Sequence, residues 1–122
     1  MNLHWRLFVS SKNEAAARKL VARHFRRAEA TPSLLSVEVY EKGGFRIEAR
    51  SEHATSSWSD SVVAAIALAQ RSGRDWCLRG LIIDELSLWS ETASTAGIDA
   101  IEMCLQRVEH RVEAPVLQAA YD

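Results

Sequence analysis

The segment LLSVEVYEKGGFRIEAR, residues 34–50, restricts the fold more than any other part of the chain. Apolar and polar residues alternate on both sides of its two adjacent glycines, which predicts a β-hairpin. A two-residue loop would mix apolar and charged side chains on both faces, whereas a three-residue loop, Lys42 to Gly44, pairs Val39 with Ile47 and separates the faces. Gly44 then takes the left-handed conformation that suits glycine. The outward face is predicted to carry Glu38, Tyr40, Arg46 and Glu48.

The first thirty residues predict a strand followed by a helix. In LHWRLFVSS, Trp5, Leu7 and Val9 alternate with polar or aromatic neighbours, a period of two that is typical of a strand. Ser11 and Glu14 have the spacing of a capping box, so we expect the helix to begin there and to end before Pro32. Its apolar stripe is Ala17, Leu20, Val21, Phe25 and Ala28.

The second half of the chain predicts a buried helix, one or two strands, and a last helix. Residues 55–72 have several capping residues, an almost wholly apolar body and a stop at Gly73, which predicts a helix at the centre of the fold. DWCLRGLIIDELSLWSET, residues 75–92, predicts two strands or one bent strand, and a helix also fits its spacing. Gly97 or Asp99 to Val112 predicts an amphipathic helix ended by Pro115.

This order predicts an α+β fold, a mostly antiparallel sheet with helices packed on one face. The arrangement is the split βαβ, ferredoxin-like order βαββαβ with an added C-terminal helix. The chain of 122 residues has room for one domain, expected at 1–114, with a flexible tail at 115–122. Its longest apolar stretch is too short for a membrane span, and its first residues lack a secretory signal, so we expect a cytoplasmic protein.

Known motifs for metals, cofactors and catalysis are missing from the sequence. The four histidines stand alone, without the spacing of a metal site, and neither a G-x-S-x-G elbow nor a phosphate-binding loop follows a strand. Cys77 and Cys104 lie in apolar runs and are expected to be reduced, buried thiols. We therefore expect no cofactor, no metal and no enzymatic activity.

The adjacent acids Asp84 and Glu85 interrupt an apolar segment. Neighbouring residues of a strand point to opposite faces, so these two carboxylates cannot face each other as a catalytic pair. A buried, unpaired carboxylate is costly, which predicts a bulge or strand end that frees both acids, or an ion pair with Arg6 or Arg79. With Trp89 and Glu91, the freed acids form a candidate surface for a cationic partner.

Two segments loosely resemble the paired strand motifs of RNA-recognition domains, whose aromatic residues stack on bases. LFVSSK, from Leu7 to Lys12, would supply Phe8, and KGGFRIEA, from Lys42 to Ala49, would supply Phe45. The hairpin register turns Phe45 toward the core, however, and glutamates lie beside the surface that would meet phosphates. RNA binding is therefore the alternative function.

The charge distribution and the whole pattern resemble those of small bacterial immunity proteins. Residues 1–30 carry a net charge of +5 and residues 31–122 a net charge of −6. The segment VVAAIALAQRSGRDWCLRGLIIDELSLW carries most of the resemblance, together with the several tryptophans and the Ala-rich and Arg-rich composition. Such proteins are encoded beside toxins of polymorphic or contact-dependent growth-inhibition systems.

The resemblance implies that the chain binds and neutralises a cognate toxin domain, a nuclease of the tRNase-like kind, by covering its basic active-site surface. An acidic surface with aromatic residues complements such a target. The predicted partner-binding residues are Glu38, Tyr40, Glu48, Asp84, Glu85, Trp89 and Glu91.

Overall fold

The computed structural model of this protein describes residues 1–108. It contains two helices, α1 (Glu14–Ala28) and α2 (Trp58–Ser72). Five longer strands and three short ones accompany them: β1 (Asn2–Val9), β2 (Pro32–Val39), β3 (Phe45–Glu52), β4 (Gly73–Arg74), β5 (Cys77–Arg79), β6 (Glu85–Ser90), β7 (Thr92–Ala93) and β8 (Ile98–Gln106).

Six strands form one antiparallel sheet in the order β2-β3-β1-β8-β6-β5, and β4 pairs with β7 separately. Strand residues alternate between two faces, and one face packs with α1 and α2 into a single apolar core. Trp5 is at its centre, edge-on to Phe25 of α1 and hydrogen-bonded through its indole N–H to Ser51 of β3 at 2.8 Å. The opposite face, which no helix covers in the described part of the chain, is called the open face below.

These elements confirm the α+β class and the mostly antiparallel sheet. The predicted βαββαβ order with a C-terminal helix does not describe the chain beyond α2, because the β5–β6 hairpin and β7 come before the strand that pairs with β1. The predicted domain end at 114 and the tail 115–122 lie outside the described residues. The described chain has no helix with the length and hydropathy needed to span a bilayer.

The predicted last helix is wrong over residues 98–106, where the chain forms β8. Ile101, Met103 and Leu105 are buried at a spacing of two, and β8 pairs with β1 on one side and β6 on the other. Ile101 and Leu105 also fit a helical stripe, because a spacing of four belongs to both periods. The remainder of the predicted helix, residues 109–112, lies outside the described residues.

The β2–β3 hairpin has the predicted loop length and faces, with the loop one residue earlier. The Tyr40 amide donates to the Gly44 carbonyl and Val39 lies opposite Phe45, so the three loop residues are 41–43. A shift of the pairing by two residues keeps every side chain on its predicted face. Glu38, Tyr40, Arg46 and Glu48 therefore belong to the open face. Val39, predicted to face the core, is exposed because β2 is an edge strand.

Three local predictions need correction. The cap of α1 is Asn13, whose side chain accepts a hydrogen bond from the amide of Ala16, while Ser11 bonds only the Asn13 carbonyl. Helix α2 is capped by Ser57 and ends at Gly73 as expected, but it lies on the sheet rather than at the centre, and Val63 is 66% exposed. Neither cysteine is in the core: Cys77 is exposed and Cys104 half-buried.

Candidate partner-binding site

The middle of the open face is a charge network in which one arginine is shared by two glutamates. Arg6 of β1 donates to Glu102 of β8 at 2.9 Å and to Glu48 of β3 at 3.2 Å. The Glu48 carboxylate also contacts His4 at 3.2 Å and Ser36 at 3.3 Å. Burial acts to raise the pKa of Glu48, but the hydrogen bonds from His4 and Arg6 outweigh it and leave the pKa below its ordinary value. Glu48 is therefore ionised and already occupied.

Glu38 is also engaged within the protein. Its carboxylate lies 2.6 Å from the guanidinium of Arg46, its cross-strand partner on β3. Half of the Glu38 side chain stays exposed, so this pair contributes little stability, yet it reduces the negative charge offered to a partner. Both predicted hairpin acids thus lie on the open face in ion pairs within the protein rather than as free acids.

The aromatic residues of the open face gather at one end of the sheet. Phe8 of β1 contacts Tyr40 at a centroid distance of 5.1 Å and Trp89 of β6 at 5.7 Å, both edge-to-face. The three rings line an open depression of about 650 Å³, which the β2–β3 loop borders at Lys42 and Gly43. Its other side chains include Lys42, Glu91 and Asp99. We call this set of six side chains the aromatic depression.

A β-bulge places Asp99 in the aromatic depression. Phe8 pairs with Ala100 and Val9 pairs with Ile98, so Asp99 is an extra residue on β8 opposite this step. Bulges re-aim a side chain and are frequent beside binding sites. Asp99 is exposed and accepts a hydrogen bond from the Ser10 hydroxyl. Sequence reasoning missed this residue, because the bulge arises from pairing with a strand ninety residues away.

Polar groups of the aromatic depression remain available for a ligand. Glu91 directly follows β6, is exposed, and forms no ion pair within residues 1–108. In the same part of the chain, the Trp89 indole N–H and the Tyr40 hydroxyl have no hydrogen-bond partner. The depression therefore combines aromatic faces, two carboxylates and unused hydrogen-bonding groups.

The acids that interrupt the apolar segment lie at the other end of β6. Residues 80–84 form the turn between β5 and β6, and the amides of Asp84 and Glu85 both donate to the Leu81 carbonyl. This strand end exposes both carboxylates, as one of the predicted alternatives required, and neither pairs with Arg6 or Arg79. Leu81, Ile82 and Ile83 are exposed beside them, and Trp58 holds the turn by donating to the Ile82 carbonyl at 2.6 Å.

The seven predicted residues therefore occupy three separate places. Tyr40, Trp89 and Glu91 line the aromatic depression, Glu38 and Glu48 are ion-paired in and beside the central network, and Asp84 and Glu85 flank the β5–β6 turn. Phe8, which sequence analysis considered only for RNA binding, is the ring that joins Tyr40 to Trp89. Sequence analysis missed Lys42 and Asp99 as members of the site.

The described side chains of the open face are not arranged as a nucleophilic or metal-binding site. Cys104 faces His4 across the β1–β8 pair, but its sulfur contacts the Ser87 hydroxyl at 3.7 Å. Burial raises the pKa of the Cys104 thiol, which disfavours the reactive thiolate. Within residues 1–108, no three His, Cys, Asp or Glu side chains come together in a way that could hold a metal ion.

Comparison with known proteins places no family on this chain: no protein-family model matches it, and neither a curated protein nor a solved structure shows significant similarity.

Proposed function

We propose that this chain is a cytoplasmic immunity protein that binds and neutralises a cognate bacterial toxin, a nuclease of the tRNase-like kind. The observation that carries the proposal is the aromatic depression on the open face. Tryptophan and tyrosine are enriched among the residues that dominate the energetics of protein interfaces, and here Trp89 and Tyr40 lie half-buried around Phe8 with the carboxylates of Glu91 and Asp99 at their edge. A surface of this kind suits a basic protein partner.

The contacts within the open face support a protein partner more than a substrate. The central network holds its charged groups in fixed positions, which limits the entropy that binding would cost. The carboxylates of Glu91 and Asp99 complement the positive surface by which a nuclease holds its nucleic acid. An inhibitor of this type acts by covering that surface, so it needs no catalytic group of its own.

The experiment co-expresses this chain with the toxin encoded by the adjacent upstream gene. We expect the wild-type chain to restore growth and to co-purify with the toxin domain. Trp89→Ala and Glu91→Lys should abolish both, because the first removes one of the three rings of the aromatic depression and the second reverses the net charge of the site. A neighbouring gene that encodes no toxin, or growth that the chain does not restore, rejects the function.

A matched pair of variants locates the binding surface. Asp84→Asn with Glu85→Gln changes the acids of the β5–β6 turn and leaves the aromatic depression intact. We expect this double variant to protect cells as well as the wild type does. Loss of protection in the double variant, together with full protection by Trp89→Ala, would place the interface at the turn and contradict the proposed surface.

RNA binding is the second candidate, because Phe8 lies on the open face as the strand motif of RNA-recognition domains requires. Two contacts argue against it. Phe45, the second aromatic of the motif, packs against the core, and Arg6 and Arg46 are held by glutamates rather than free for phosphates. Titration with single-stranded RNA at low salt tests this function. Binding that weakens steeply as salt rises would favour RNA over the toxin.

A further inference from the structure

We propose that the aromatic depression is a receptor for one guanidinium group, the side chain of an arginine on the partner protein. The inference deepens the proposed function, on which it rests, by naming the chemical group that enters the site. Three features of the depression carry it: the arrangement of its rings, the position of its two carboxylates, and the balance of its charges.

The three rings of the depression meet edge to face at Phe8. Phe8 meets Tyr40 at an interplanar angle of 65° and Trp89 at 64°, so Phe8 lies flat against neither of them. An edge-to-face pair covers at most one face of one ring, and all three rings line the depression. The negative face of an aromatic ring attracts a cation that sits over it, and tryptophan does so most strongly.

The two carboxylates approach the rings from neighbouring strands. Glu91 follows directly after β6, two residues beyond Trp89, and Asp99 projects from the bulge of β8 opposite Phe8 and Val9. The Ser10 hydroxyl donates to one oxygen of Asp99, which holds that carboxylate in place. Lys42 is the basic side chain of the lining, so two negative charges meet one positive charge.

The rings and carboxylates together suit a guanidinium group better than an ammonium group or a nucleotide. A guanidinium is planar, stacks on an aromatic face and donates to a carboxylate in its plane, whereas an ammonium is a strongly hydrated point charge. A nucleotide could stack on the same rings, but Glu91 and Asp99 would repel its phosphate. A volume of about 650 Å³ admits an arginine side chain together with part of its backbone.

The test is an NMR titration of the full-length protein with Nα-acetyl-arginine amide, followed through backbone amides and the Trp89 indole N–H. Nα-acetyl-citrulline amide is the neutral control of the same shape, and Nα-acetyl-lysine amide is the control for charge alone. We expect saturable shifts confined to residues that line the depression, with arginine binding more tightly than lysine and citrulline giving no saturation.

Variants assign the carboxylates. Glu91→Gln combined with Asp99→Asn should weaken arginine binding by about tenfold, the scale expected when a charged hydrogen-bond partner is lost. Glu52→Gln, an exposed acid at the opposite end of β3, should leave binding unchanged. Both proteins must keep the dispersed spectrum of the wild type, which separates loss of binding from loss of folding.

Two results overturn the inference: equal shifts with citrulline and arginine, or no saturable shift with arginine. In the second case, saturable shifts with uridine 5′-monophosphate would assign the depression to a nucleotide. The proposed function is tested separately. Toxin protection that depends on Trp89 without arginine binding leaves the function standing, whereas arginine binding without any toxin partner leaves only the receptor site.

Discussion

At the scale of single residues, the buried His24 is expected to make the stability of this protein depend on pH. His24 of α1 is 1% exposed, stacks edge-on against Trp5 and Phe25, and its Nε2 atom has no hydrogen-bond partner. Burial, followed by the nearby positive charge of Arg27, lowers the pKa of His24 from 6.5 to about 4. The sequence analysis found only that His24 lacks the spacing of a metal ligand, because spacing along the chain does not show which side chains pack around it.

We predict that His24 makes the fold sensitive to acid between its two pKa values. The unfolded chain binds a proton at about pH 6.5, while the folded protein resists protonation until about pH 4, so stability is full above pH 6.5 and falls as the pH drops toward 4. The loss over this window is roughly 3 kcal/mol. Urea unfolding at pH 7 and pH 4.5 measures it.

The variant His24→Leu provides the comparison, since leucine cannot titrate. We expect its stability to change much less than that of the wild type between the two pH values. Equal pH dependence in both proteins would show that other groups, such as His53, whose pKa is also lowered by burial, govern the response.

At the scale of one element, the capping residue of α1 differs from the one that the sequence rule predicts. Ser11 and Glu14 satisfy the capping-box spacing, yet the side chain that bonds the first turn belongs to Asn13, at 2.8 Å from the Ala16 amide. The capping-box rule predicted the correct region for the helix start but the wrong capping residue. Several residues that can cap a helix lie close together there, and their spacing does not choose between them.

We predict that Asn13→Ala lowers the free energy of unfolding by about 1 kcal/mol, because it leaves a first-turn amide unsatisfied. Ser11→Ala is the matched control and should cost only a few tenths of that, because Ser11 bonds no helix amide. Chemical denaturation of both variants checks the assignment. A larger loss of unfolding free energy for Ser11→Ala than for Asn13→Ala would favour the predicted capping box.

The β2–β3 hairpin makes a second comparison possible at this scale, between adjacent glycines that both have positive φ angles, 104° at Gly43 and 78° at Gly44. A Cβ atom at Gly43 meets nothing, whereas one at Gly44 would overlap the carbonyl oxygen of Val9. We predict that Gly43→Ala costs about 1–2 kcal/mol from backbone strain alone. Gly44→Ala should cost clearly more, and equal losses in thermal unfolding would contradict the described turn.

At the scale of the whole molecule, the position of each strand in the sheet determines how easily that strand opens locally. β1 and β8 lie in the middle, with neighbours on both sides, and β2 and β5 form the edges. The extra residue Leu35 gives β2 a bulge, and β5 has only three residues, which are features that discourage pairing with another chain.

We predict that amide hydrogens of β1 and β8 exchange most slowly and those of β5 most quickly in native-state hydrogen exchange. Opening the middle of the sheet requires the core around Trp5 to come apart, whereas β5 can detach alone. Rapid exchange across residues 98–106 would contradict a central strand there and favour the helix that the sequence predicted.

The sequence by itself determined the features that depend on near neighbours. The alternation around Trp5, the stripe of α1 and the two faces of the hairpin all follow from side chains a few residues apart, whose spacing distinguishes a strand from a helix. The same reasoning turned Phe45 inward and included, among its alternatives for Asp84 and Glu85, the strand end that exposes both acids.

Only the tertiary structure decided which period governs residues 98–106 and which acids remain free. Ile101 and Leu105 fit both periods, and pairing with β1 and β6 selected the strand. Glu38 and Glu48 look like surface acids in the sequence, but Arg46 and Arg6 reach them in the folded sheet, while Asp99 enters the aromatic depression through a bulge. Most of these outcomes depend on groups from distant parts of the chain, and even Glu38 and Arg46, eight residues apart in one hairpin, meet only in the register that the hairpin adopts. Their energies therefore cannot be assigned before the strands are paired.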